Sequence, residues 1–161
     1  MARERLIKFL NKNSLKMLWL AIIGYTLIFS LISFWKYSNY LYNGLDLAIL
    51  NQTFYNTSLG RWYELSIHPP TYLADHFKPM ILFISPIYAL WRDPRMLLLL
   101  QSLILALASW PVYLITKEVF NKYQLKNIYA LIAGLLFLSN PLVQNINVFE
   151  YHMLPWAIFS L

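Results

Sequence analysis

Few residues in this chain can do acid–base or metal chemistry, and half of its acids and histidines sit in one polar stretch. Between Lys36 and Lys78 the chain carries Asp46, Glu64, His68, Asp75 and His76 among asparagines and tyrosines. Asp46 stands out, because its neighbours Leu45 and Leu47 are apolar and a carboxylate at a membrane surface is costly to desolvate. It could act as a general base. It could equally offset the dipole of a helix that starts there and satisfy free N–H groups. Asp75-His76 pairs a carboxylate with an imidazole, a combination able to hold a divalent cation or move a proton, or to serve as a polar anchor at the membrane interface. Glu150 and His152 face the same way only if their segment is extended. They could add hard ligands to a site with Asp46, or be solvated loop residues. His68 stands before two prolines, which restrict the backbone, and reads as structural.

The scaffold for these groups is read from composition. The chain is 59% apolar and 12% charged. Soluble proteins average about 45–50% and about 25%. Six Trp, twelve Tyr and ten Phe add residues that favour the membrane–water boundary. The fold class is therefore all-α, a polytopic membrane protein. Cysteine is absent, which excludes disulfides and thiolate chemistry. The net charge of +6 does not indicate nucleic acid, since no basic–aromatic groove accompanies it. Arg3, Arg5, Lys8, Lys12 and Lys16 instead precede the first apolar run, as expected of a cytoplasmic N-terminus.

In chain order, residues 1–16 read as a basic amphipathic lead-in on the cytoplasmic surface, and 17–35 as a transmembrane helix. The external loop 36–78 follows. Leu47, Leu50 and Phe54 at helical spacing predict an interfacial helix over 44–58, started at Asn43 or Gly44 and stopped by Gly60. Residues 79–91 are apolar, short and interrupted by Pro86, which favours a re-entrant or juxtamembrane segment over a span. Residues 96–116 make a second transmembrane helix that tolerates Pro111. The lysine-rich stretch 117–127 reads as a cytoplasmic loop, 128–143 as a third transmembrane helix, 144–153 as an external loop, and 154–161 as the start of a further helix. An apolar run this short at the end suggests the N-terminal piece of a longer chain. If 79–91 crossed instead, the lysine loop would lie outside, against the positive-inside rule.

Four stretches, DLAILNQTFYNTSLGRWY, YLADHFKPMILFISPIYALW, LLLLQSLILALASWPVYLITKEVF and LSNPLVQNINVFEYHMLP, resemble a family of polytopic membrane proteins, domain of unknown function 2079. That family is similar to the GT-C glycosyltransferases, which use lipid-phosphate-linked sugars. The resemblance covers the chain from about Asn43 and only the N-terminal part of such a protein. It implies GT-C-like N-terminal helices with a large first external loop, in a prokaryotic plasma membrane. It further implies a catalytic acid from each of two external loops, carried over as Asp46 and Glu150. The neighbouring Asp75, His76 and His152 would meet substrate, a divalent metal being an open question. Arg61, Lys78, Arg92 or Arg95 would neutralise the phosphate leaving group. The implied partners are membrane lipid, a polyprenyl-phosphate sugar donor and the rest of the same chain, and the piece alone would be inactive. Asp46 is followed by Leu47, so the acidic doublet of the mannosyltransferases is missing. The reading from a different class is a non-catalytic transporter or lipid-binding assembly subunit. The apolar spans hold no ionisable residue, which argues against ion-coupled transport in this portion.

Overall fold

The computed structural model describes residues 2–67, 71–74 and 77–151. Among the described residues seven α-helices follow in order: α1 Ala2–Ser38, α2 Leu45–Ser58, α3 Met80–Tyr88, α4 Pro94–Leu107, α5 Ser109–Val119, α6 Lys126–Leu138 and α7 Pro141–Val148, with a 3-10 turn at Tyr72–Ala74. The described residues contain no strand, only one isolated bridge between Glu64 and Thr71.

The basic lead-in and the first apolar run form one helix, α1, rather than a surface segment followed by a span. Its 37 residues contain no proline, so nothing forces a break at the charge boundary. α4 and α5 are nearly continuous. The step at Ala108 falls where Pro111, lacking an N–H, cannot bond the Leu107 carbonyl one turn earlier, and the Ser109 hydroxyl donates to Ala106 O at 2.7 Å. Asn140-Pro141 ends the third run early. The Asn140 side chain accepts from Leu142 N at 2.9 Å and Pro141 occupies the first position of α7, so a new helix starts where the sequence suggested continuation to 143. By length and composition Glu4–Ser38 and Pro94–Val119 can each cross a membrane. The pair α6 and α7, bent by 44°, adds a third span if counted as one.

Side-chain contacts fix the helix directions. Going down α1, Phe34 meets Trp91 edge-on, Trp19 meets Trp110 with centroids 6.1 Å apart, and Ser14 bonds Tyr113 at 2.9 Å. α1 and α4–α5 are therefore antiparallel. α6 rises beside α1, since Asn127 donates to Asn11 O and Gly134 lies against Leu18. The end of α1, the start of α4 and the end of α7 thus share one end of the bundle. The turn 120–127 lies at the other. Among the described residues between α1 and α4, the α-helices are α2 and α3, of 14 and 9 residues. At 1.5 Å per residue neither covers the ~30 Å of a hydrocarbon core.

Two apolar clusters hold this together. Leu18, Ile22, Leu105, Tyr113, Ala130 and Leu131 fill the junction of α1 with α4–α6. Leu50, Phe54, Ile81, Ile84, Tyr88 and Leu97 seat α2 and α3 on the upper end of α4.

Two predictions follow from this geometry. A side chain at Gly134 would place its Cβ 2.7 Å from Leu18 Cδ1 and 3.5 Å from the Ser109 carbonyl. Gly134→Leu should therefore cost about 1–3 kcal/mol and lower the melting temperature in detergent, and Leu18→Ala in the same chain should recover part of the loss. Because the chain has no cysteine, single cysteines report sidedness cleanly. Those placed at Asn39, Asp93 and Phe149 should react with an impermeant thiol reagent from one side of the membrane, and one at Tyr123 only from the other.

Candidate functional site

At the end of the bundle shared by α1, α4 and α7, the start of α2 lies against the turn that follows α7. Gly44, the N-cap residue of α2, has φ +83, a left-handed conformation that glycine reaches without a Cβ clash. Glycine cannot cap with a side chain, so the first N–H groups of α2 need a partner from elsewhere. Glu150 supplies it. Its Oε1 accepts from Gly44 N at 3.0 Å and its Oε2 from Asp46 N at 3.2 Å. One carboxylate thus does from 106 residues away what a capping box does locally, with its charge at the positive end of the helix dipole. Glu150 is 5% exposed, and both of its oxygens are engaged.

The Glu150 turn is itself held from below. Gln101, fully buried in α4, directs its side-chain amide at the carbonyls of Ile146, Asn147 and Glu150, at 3.1–3.4 Å. Ser102 Oγ donates to Asn147 Oδ1 at 2.9 Å. Lys36, in the last turn of α1, donates to the Val148 carbonyl and sits 4.6 Å from the Tyr42 ring centroid. Burial pushes the Tyr42 phenol above its ordinary range. Ser33 opposes that shift and the negative charge of Glu150 adds to it.

Beside the capped turn is a cavity of about 460 Å³, walled by Tyr37, Tyr42, Asn43, Gly44, Asn51 and Pro94 among others. Gly44, Leu47, Ala48 and Asn51 form its α2 wall at helical spacing. Asp46 is exposed in the first turn of α2, off that stripe and toward the side of Leu50 and Thr53.

The remaining sequence candidates separate. Arg95 is at the cavity's rim, next to Pro94, but is chelated by Asp93 with two contacts of 2.8 Å. The hydrogen bonds from Arg95 hold the Asp93 carboxyl below its usual value, and Asp93 also caps α4 by accepting from Arg95 N. Arg61 bonds Asn56 Oδ1 and Arg92 bonds Ser58 Oγ, both at the far end of α2. The twelve-residue rise from Asp46 to Ser58 is about 18 Å. Arg61 and Arg92 therefore do not share a site with Asp46. Lys78 lies 5.5 Å from the Tyr72 ring centroid, and its carbonyl accepts from the Tyr63 hydroxyl. Asp75, His76 and His152, with His68, lie outside the described residues. Among the described residues no group of three or more His, Cys, Asp or Glu is placed to hold a metal ion.

The sequence reading missed Lys36, Gln101 and Asn147. Gln101 had a signal: it is an amide inside the run LLLLQSLIL, where a polar side chain needs a buried partner.

A family model described as a predicted membrane protein, DUF2079, matches residues 36–161. The chain belongs to this family. The match begins where α1 ends and takes in α2, the cavity and the Glu150 turn. No curated protein and no solved structure matches the chain.

Glu150→Gln tests the cap. Glutamine keeps the shape but offers an acceptor on only one side of its head, so one buried N–H loses its partner. The expected cost is about 1–3 kcal/mol, read as a lower melting temperature in detergent, with Glu150→Ala costing more.

Proposed function

We propose that this protein is a GT-C-like glycosyltransferase that moves a sugar from a polyprenyl-phosphate donor at the outer membrane face, in a prokaryotic plasma membrane with the N-terminus cytoplasmic. One observation carries the reading. The two acids drawn from separate loops, Asp46 and Glu150, meet within one helical turn, with Glu150 Oε2 3.2 Å from the Asp46 amide. They do so at an end of the bundle that α1 and α4 reach from a membrane span, next to a cavity with aromatic and amide walls.

The roles divide by environment. The exposed Asp46 takes the proton from the acceptor hydroxyl, and attack on the anomeric carbon then expels the polyprenyl phosphate with inversion. Glu150, with both oxygens already accepting N–H bonds, positions that turn and is not itself the base. Among the described residues, Lys36, which sits over the Tyr42 ring, and Arg95, next to Pro94, are cations beside this cavity; charge of that kind stabilises a departing phosphate. Arg61 and Arg92 are assigned no part in the transfer because of their distance along α2. The lysine-rich turn 120–127 would face the cytoplasm, in keeping with the positive-inside rule.

The test uses the protein expressed from its full reading frame. Asp46→Asn should lower transfer from a polyprenyl-phosphate sugar about 10²–10⁴-fold while the melting temperature stays near that of the parent. Glu150→Gln should lower activity and stability together. Full activity in Asp46→Asn would remove Asp46 from the chemistry. No transfer by the parent protein with any polyprenyl-phosphate sugar would favour the non-catalytic reading.

A further inference from the structure

The other end of α2 holds a second cavity, of about 470 Å³, between the last turn of α2 and α3. One wall is polar. It carries Thr57 and Ser58, and the Arg92 guanidinium reaches it with Nε 3.1 Å from Ser58 Oγ. The facing wall is mostly apolar, made by Leu82, Pro86 and Ala89 around Ser85, whose hydroxyl is turned to the Ile81 carbonyl, with Trp62 alongside. From that wall the apolar surface continues outward along α3. Phe83 is 72% exposed, and Leu90, just beyond the helix, is 82% exposed.

A ligand suited to this place has a polar head that answers a guanidinium and an apolar body that extends onto an exposed helix face. The bilayer that α1 and α4–α5 can cross supplies such molecules. We propose that the cavity binds one anionic phospholipid, with its phosphate on Arg92 and Ser58 and its acyl chains along Leu82, Phe83, Pro86 and Leu90. Charge decides between lipid classes. A zwitterionic headgroup brings its own cation and leaves the guanidinium less well matched, whereas a net negative phosphate matches it through charge-assisted hydrogen bonds. Trp62, 70% exposed at the mouth, is the residue type that favours the headgroup level. The site is about 18 Å along α2 from Asp46, so it stands whether or not the transferase reading does.

The experiment uses the full-length protein in phosphatidylcholine nanodiscs. Phosphatidylglycerol or phosphatidylcholine with brominated acyl chains is added in rising mole fraction, and tryptophan quenching is followed. Subtracting the Trp62→Phe variant isolates the Trp62 signal. Brominated phosphatidylglycerol should half-quench Trp62 at roughly one-fifth of the mole fraction that brominated phosphatidylcholine needs, the weight of one surface cation. Arg92→Gln should bring the two curves together, and Arg92→Lys should keep much of the separation. Arg92 is exposed, so neither change endangers folding. Coincident curves in the parent, no Trp62 quenching by either lipid, or a preference that survives Arg92→Gln would each overturn the proposal.

Discussion

The first amide hydrogens of a helix have no acceptor within it, and at the start of α2 the residue in the capping position is a glycine in the left-handed region. The Glu150 carboxylate takes two of them, and much of the upper bundle depends on that contact. It ties the first large loop to the segment after α7 across more than a hundred residues. A buried carboxylate without such partners would cost several kcal/mol, so the pairing constrains both sides at once. α2 cannot rotate without breaking the cap. The Glu150 turn cannot withdraw without exposing unpaired groups in a largely apolar setting.

The supporting layer explains why Glu150 arrives where it does. Gln101 gathers three carbonyls at the end of α7, Ser102 fixes Asn147, and Lys36 closes the Val148 carbonyl. α7 can exist as a separate short helix because Asn140-Pro141 starts it and Gln101 finishes it. Gln101 and Lys36 satisfy backbone carbonyls that an apolar setting would leave bare, and Ser102 satisfies the Asn147 side chain. The polar layer therefore lies just beneath the capped turn and the cavity, and holds them on the rigid end of α1 and α4.

Much of the fold was legible in the sequence. The spacing of Leu47, Leu50 and Phe54 between two glycines located α2 to within a residue or so, because a half-buried helix must show that period. Length alone marked the 79–91 run as shorter than the two runs whose helices can cross a membrane. The fusion of the lead-in with the first span was less visible, since charge marks the membrane boundary but does not stop a helix. The break at Asn140-Pro141 carried its signal openly, an N-cap residue before an N1 proline, and was overridden by apolar run length. Of the candidate residues, the place of Asp46 in the first turn of α2 was legible, and its nearness to the Glu150 segment followed from putting both loops on one face. The role of Glu150 as a distant cap was not, because nothing local encodes a contact at that separation. Grouping Arg61 and Arg92 with Asp46 overlooked the length of α2, which the same helix assignment already fixed.

As a member of its membrane-protein family, this chain offers an end of the bundle where two loops converge on one capped helix. The account rests on the Glu150–α2 contact, and amide hydrogen exchange reads that contact directly. In detergent, the Gly44 and Asp46 amides of the parent should be protected. In Glu150→Gln at least one of them should exchange about tenfold faster or more, with the amides of α1 unchanged. Unchanged rates at Gly44 and Asp46 would contradict the account, since the start of α2 would then be held by something other than Glu150.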